Sequence, residues 1–119
     1  MNLQTEQELV ALCLALIGGQ GGLSAAERKL VKTAPTSVLK PREIEAIRKA
    51  ITRGTDPLGE VFSSIRSAAE RRVTGAVYTP ASIVRSMMTW LTSQGMPARI
   101  VDPGAGSGRF ILAAGEAFP

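Results

Sequence analysis

The residues best placed to do chemistry lie together near the C-terminal end, in the run Ile100-Val101-Asp102-Pro103-Gly104-Ala105-Gly106-Ser107-Gly108-Arg109-Phe110. The order reads as a short strand, a glycine loop and the start of a helix. Glycines lack a Cβ, so their backbone approaches a ligand closely and adopts positive φ without strain. A helix that begins behind such a loop presents unpaired N–H groups to it. A carboxylate at the C-terminal edge of a strand, here Asp102, stands where open α/β sheets bind their ligands. The chemistry on offer is recognition of a small polar ligand by backbone amides and one acidic side chain.

The spacing narrows the ligand. A dinucleotide fingerprint needs Gly-x-Gly-x-x-Gly, but here Gly104, Gly106 and Gly108 alternate and Arg109 falls where the third glycine belongs. A phosphate-cradling Gly-x-x-x-x-Gly-Lys-Ser/Thr string does not occur. The Gly-x-Gly-x-Gly form behind an acidic strand end is commoner around S-adenosylmethionine, whose amino-acid part is zwitterionic. Taken alone, the loop leaves three readings open: S-adenosylmethionine, another nucleotide, or a structural turn.

A second segment, Gly75-Ala76-Val77-Tyr78-Thr79-Pro80, lies about twenty residues ahead of the strand, at the mouth of the intervening helix. In this order and spacing the two segments resemble the N6-adenine (amino) DNA methyltransferases of restriction–modification systems. Those enzymes carry Gly-x-x-Tyr-Thr-Pro, a helix, and then Asp-Pro-Ala-x-Gly-Ser-Gly-x-Phe. The resemblance covers roughly residues 70–118. It implies that Thr79 and Pro80, next to Tyr78, contact the methionine end of S-adenosylmethionine, and that Asp102 meets its amino group. It implies further that the loop Pro103, Gly104, Ala105, Gly106, Ser107 and Gly108 wraps the cofactor and that Phe110 packs beneath it. Two positions depart from the family pattern: Gly104 replaces the usual alanine and Ala105 the frequent cysteine. Neither removes a needed side chain.

The family's catalytic tetrapeptide, Asn/Asp-Pro-Pro-aromatic, is absent from the sequence, and Gly104 after Asp102-Pro103 prevents that pair from standing in. No catalytic residue is therefore assigned. The expectation is the N-terminal portion of a longer S-adenosylmethionine-dependent DNA (adenine-N6) methyltransferase, present as a fragment or truncated gene product and inactive alone. Duplex DNA is the implied partner of the full-length enzyme, with a specificity or restriction subunit or domain as a further one.

The elements that must position these residues are mostly helical. Thr5 caps a helix through Ile17 whose stripe is Leu9, Leu12 and Leu16, ended by Gly18 and Gly19. Ser24 and Glu27 have capping-box spacing. Pro41 and Pro57 sit at first helical positions, with Asp56 as a cap, and Ile44, Ile47, Ile51, Leu58, Val61, Phe62 and Ile65 face inward. Arg71, Arg72 and Gly75 lead into an exposed stretch, and Ala76-Val77-Tyr78 is short and extended. Thr79 caps a helix from Pro80 to about residue 94, with Ile83, Val84, Met87, Met88 and Leu91 on its apolar face and Trp90 at an edge. Arg99–Asp102 is the one clear strand; with no second strand to pair it, it either pairs outside this chain or is not a stable strand here. The expected fold is mainly α: a helical region over residues 1–72, then the first strand–loop–helix of a Rossmann-like α/β class I methyltransferase domain over residues 73–119. The helical region is expected to bury its own core and fold alone. The C-terminal third lacks a sheet for Val101 and Phe110.

Composition removes several classes. With no histidine and one cysteine, Cys13, a His/Cys metal site, a Ser-His-Asp triad and an internal disulfide are excluded. The longest apolar run, Leu9 to Ile17, has nine residues, well short of the about 20 that a membrane span needs. The chain reads as cytoplasmic. The net charge is +4 from 14 Lys+Arg and 10 Asp+Glu, and eight of the basic residues fall between Arg28 and Arg53, among them Arg48 and Lys49. Arg66, Arg71 and Arg72 extend the run. A basic helical face suits a phosphate backbone, but the spacing of these charges is also that of an ordinary solvated helix surface, which is the preferred reading. Two other functions stay open: a basic helical DNA- or protein-binding module, and a methyltransferase acting on protein or RNA. Tyr78-Thr79-Pro80 argues against the latter.

Overall fold

The computed structural model describes residues 3–36, 39–73, 75 and 78–118. Among them are seven α-helices: α1 (Glu6–Ile17), α2 (Ala25–Val31), α3 (Pro41–Thr52), α4 (Pro57–Ile65), α5 (Ala68–Val73), α6 (Ala81–Ser93) and α7 (Arg109–Ala117). The fold is mainly helical, with no strand among the described residues.

Most helices start where a side chain or a proline gives them a start. At α1 the Thr5 hydroxyl accepts from the Glu8 N–H, while the Glu8 carboxylate accepts from the backbone N–H groups of Gln4 (2.8 Å) and Thr5 (3.0 Å). Ser24 and Glu27 repeat the reciprocal arrangement at α2. The Gln4 and Thr5 amides hold the Glu8 carboxyl below the usual glutamate range, and the Ser24 hydroxyl and amide do the same for Glu27. Pro41 opens α3, and Pro57 opens α4 behind the cap Asp56. Gly18, at φ 81°, closes α1 in the left-handed conformation that a side chain would disfavour.

Three expectations are corrected here. Arg71 and Arg72 lie in a separate helix, α5, rather than in an exposed exit from α4. Its start carries the same Ser-x-x-Glu spacing: the Ser67 N–H donates to Glu70 at 2.7 Å and the Glu70 N–H to the Ser67 hydroxyl at 3.3 Å. The helix after Thr79 begins at Ala81 with Pro80 at the cap, so Thr79 lies one residue outside it. Arg99–Asp102 is not a strand. Strand backbone needs a ladder partner for its N–H and C=O groups. No backbone hydrogen bond joins Ile100 or Val101 to other described residues, and Val101 is 68% exposed. Of the expected strand–loop–helix, loop and helix are present. Ala76 and Val77 of the expected extended stretch, and Thr74 ahead of it, lie outside the described residues.

The core gathers α1, α3 and α4. Leu12, 1% exposed, sits with Leu3, Ile47 and Val61, and Leu9, Leu16, Leu39, Ile51, Leu58 and Ile65 pack around them. Arg48 in α3 donates from Nη2 to the carbonyls of Ala15 and Leu16, both at 3.0 Å. It thereby satisfies the last turn of α1, which has no basic residue of its own. Arg66 pairs with Glu6 of α1.

The second packing unit is α6 against α7, centred on buried Val84 and Ala114. It joins the first where α3 ends: a Cβ on Gly54 would lie 3.2 Å from the Leu112 carbonyl of α7. The apolar face of α6 divides. Val84, Met88 and Leu91 are buried or half-buried, whereas Ile83, Met87 and Trp90 stay exposed. A single neighbouring helix covers one stripe of α6, so Ile83 and Met87 are not in the core as the pattern suggested.

Candidate functional site

The glycine loop is folded by its own residues. Asp102 Oδ1 accepts from the Gly104 N–H at 3.1 Å, a turn in which the side chain substitutes for a backbone acceptor. Gly106 (φ 54°) and Gly108 (φ 86°) occupy the left-handed region. Gly108 donates to the Ala105 carbonyl at 2.7 Å and caps α7, so the first turn of that helix has no side-chain acceptor.

The Tyr78–Thr79 segment closes on this loop. A Cβ added to Gly106 would lie 3.2 Å from Tyr78 Cε1, so the missing side chain lets the ring approach the backbone. The Tyr78 ring also meets Phe62 of α4, with ring centres 5.9 Å apart and planes at 66°. The Arg109 guanidinium lies 5.9 Å from the Tyr78 ring centre and donates from Nη1 to the Thr79 carbonyl at 2.8 Å.

Between the two segments lies a cavity of about 160 Å³, lined by Gly75, Tyr78, Thr79, Gly104, Ala105, Gly106, Ser107, Arg109 and Phe110. Seven of the residues singled out in the sequence meet here. Pro80 instead lines a neighbouring groove of about 550 Å³, together with Tyr78, Arg109, Arg71, Arg72 and Glu60. Asp102, Pro103 and Gly108 shape the loop without lining the cavity. Asp102 Oδ2 is buried and has no hydrogen-bond partner among the described residues. A buried carboxylate oxygen in that state needs a donor. The cavity is smaller than the roughly 300–1,000 Å³ of small-molecule sites. It suits the compact end of a ligand, not a whole nucleoside.

Sequence reasoning missed the residue that ties the site together. Asp56 is 6% exposed. Its Oδ1 accepts from the Gly59 N–H at 2.8 Å, which is the helix cap. Its Oδ2 accepts from the Ser107 hydroxyl and from Arg109 Nε at 3.0 Å. Gly59 permits this approach: a Cβ there would lie 2.6 Å from Ser107 Oγ and overlap the Asp56 carboxylate. The signal in the sequence was Gly59 itself, a helix-weakening residue in a first turn. Among the described residues no cluster of His, Cys, Asp or Glu could hold a metal ion, and no helix is long and apolar enough to cross a membrane.

No protein-family model and no solved structure matches the chain. A curated protein does: a Type II methyltransferase, M.XamI of Xanthomonas campestris pv. amaranthicola, 68% identical over 120 residues. The match takes in 100% of this chain and 22% of the relative. The chain thus spans about a fifth of the length of the relative it matches, and along its whole length it is a homologue of part of a Type II methyltransferase.

Proposed function

We propose that this chain supplies part of the S-adenosylmethionine site of a restriction–modification DNA methyltransferase acting on the N6 amino group of adenine. One observation carries the reading: Tyr78 and Thr79 close on Gly104–Ser107 around a shared cavity, although more than twenty residues separate the segments. The likeness to a Type II methyltransferase supports the reaction class and, through it, a duplex DNA substrate.

In this reading the cavity takes the methionine end of the cofactor. Tyr78, Thr79 and the glycine loop enclose it, Phe110 packs below, and Pro80 fixes the entry to α6. The resemblance assigns the cofactor's ammonium group to Asp102: its Oδ2 lies behind the loop and off the cavity lining, but as an acceptor without a donor it takes a charge-assisted hydrogen bond once the loop shifts to admit the ligand. S-adenosylmethionine itself supplies a methyl group activated by its sulfonium. The chain's own residues bind and orient. Acceptance of the target base calls for extrusion from the DNA stack and for groups that this sequence does not contain, the Asn/Asp-Pro-Pro-aromatic string above all. A specificity or restriction subunit remains a further partner in this reading.

The test is methylation by the full-length gene product. Incubated with S-adenosylmethionine and duplex DNA, it should yield N6-methyladenine by mass spectrometry of the digested nucleosides. Methylcytosine instead would move the target base, and absence of S-adenosylmethionine binding by calorimetry would remove the reading.

A further inference from the structure

We propose, resting on the cofactor reading above, that Asp56 is a positioning residue of the S-adenosylmethionine site, so that the helical region is a working part of that site. The carboxylate stands more than fifty residues from the glycine loop in sequence, yet Oδ2 receives both Ser107 Oγ and Arg109 Nε. Ser107 lines the cavity from the loop side. Arg109 carries the contact onward, donating to the Thr79 carbonyl and lying over the Tyr78 ring. One buried carboxylate therefore holds both walls of the cavity, and it is anchored in turn by the Gly59 N–H of α4.

The clamp acts on loop order. Gly106 and Gly108 leave the loop with wide backbone freedom, which must be given up when a ligand binds. A loop already held by Ser107 and Arg109 meets that cost before binding, and affinity rises accordingly. The two carboxylate oxygens divide the labour: Oδ1 caps α4 and Oδ2 clamps the loop. Asp56→Asn separates these roles, because asparagine caps a helix as well as aspartate does while its amide NH₂ meets Arg109 Nε donor to donor; the Ser107 hydroxyl, which can turn round and accept from that NH₂, is removed separately by Ser107→Ala.

The experiment measures S-adenosylmethionine and DNA binding by the full-length gene product and its Asp56→Asn, Ser107→Ala and double variants, each checked for an intact fold by circular dichroism. S-adenosylmethionine affinity should fall about tenfold or more in Asp56→Asn. DNA affinity should stay unchanged, a split that general loss of stability would not produce. The double variant should lose less than the sum of the two single losses, because both changes act on one clamp. Amide exchange at Gly108, whose N–H reaches the Ala105 carbonyl, should quicken in Asp56→Asn without ligand. Unchanged cofactor affinity in Asp56→Asn, or fully additive losses, would overturn the role of Asp56 and leave the cofactor reading standing. If the wild-type protein binds no S-adenosylmethionine, the cofactor reading falls and takes the binding role with it; Gly108 exchange then decides whether Asp56 holds the loop at all, and equal rates in both proteins would overturn that too.

Discussion

Gly59→Ala should destabilise the fold, against the ordinary sign for such a change. In a helix interior, alanine is favoured over glycine by up to about 1 kcal/mol. At Gly59 the new methyl would overlap the Asp56 carboxylate and lie 2.6 Å from Ser107 Oγ. Neither neighbour is the free end of a flexible side chain. Moving Asp56 aside gives up its cap to the Gly59 N–H, worth about 1 kcal/mol. It also strains hydrogen bonds from Ser107 and Arg109, which as bonds to a charged group are worth about 1.5–3 kcal/mol. Inserting a methylene-sized group where the packing stays put costs about 1–3 kcal/mol. Set against the propensity gain, the expected net loss is about 2 kcal/mol. Gly115 provides the internal control. It is exposed within α7, and a Cβ there meets nothing within 4 Å, so Gly115→Ala should stabilise by about 0.5–1 kcal/mol. Urea unfolding followed by circular dichroism reads both. With a slope of about 1.5 kcal/mol per molar, Gly59→Ala should lower the midpoint by over about 1 M and Gly115→Ala should raise it. A Gly59→Ala midpoint equal to or above wild type would show that the Asp56–Ser107–Arg109 geometry is not populated in solution.

Other consequences are as direct. In the full-length gene product, Asp102→Ala should weaken S-adenosylmethionine binding about tenfold to a hundredfold by calorimetry, the value of one charge-assisted hydrogen bond; equal affinity in a folded variant would take Asp102 out of the site. Charge reversal of Arg42, Lys49 and Arg53 together should flatten the salt dependence of DNA binding by about 0.9 in log–log slope for each phosphate no longer neutralised. Arg48 is left out because it holds the end of α1, and an unchanged slope would make the basic run a solvated surface. Glu8, Glu27 and Glu70 are held below the usual glutamate range, Glu70 chiefly by the Ser67 hydroxyl and amide. Depressed carboxyls stabilise the fold above the unfolded value of about 4.3 and lose that contribution as pH falls through their folded values. The urea midpoint should therefore drop below about pH 4.5, less steeply when all three are glutamine.

Helix starts were the most legible part of the sequence because their causes are local. Thr5, Ser24, Asp56, Pro41 and Pro57 act within a turn of where they stand, and each begins a helix as read. The same rule applied to Ser67 and Glu70 would have found α5. The inward stripe of α1, α3 and α4 was likewise legible, since Leu12, Ile47 and Val61 recur at helical spacing. The strand at Arg99–Asp102 was not, because a strand is a property of a pair and periodicity cannot supply the partner. Asp56 escaped for a related reason. Its capping role is visible in the sequence, but its second carboxylate oxygen works across more than fifty residues, and no spacing rule reaches that far. At the cavity, type and order of residues suggested which segments belong together, whereas Arg109 looked only like a missing glycine until its contacts with Thr79 and Tyr78 were seen.

Amide exchange should divide the chain along the same lines. The slowest amides belong to the helices that bury Leu12, Ile47 and Val61, because α1, α3 and α4 enclose one another and Arg48 and Arg66 fasten the ends. The α6–α7 pair should exchange faster. Its buried centre is Val84 and Ala114, a thin interface beside the exposed Ile83, Met87 and Trp90. Ile100 and Val101 should exchange near the rate of an open chain, since no backbone hydrogen bond holds either to another described residue. The link between the two packing units predicts a further asymmetry. Asp56 reaches α7 through Arg109, so Asp56→Asn should quicken exchange in α7 and leave the centre of α1 as it was. Strong protection of Ile100 and Val101 in a demonstrated monomer would mean that this segment pairs within the chain, and the helical description of the C-terminal third would have to give way to one with a sheet.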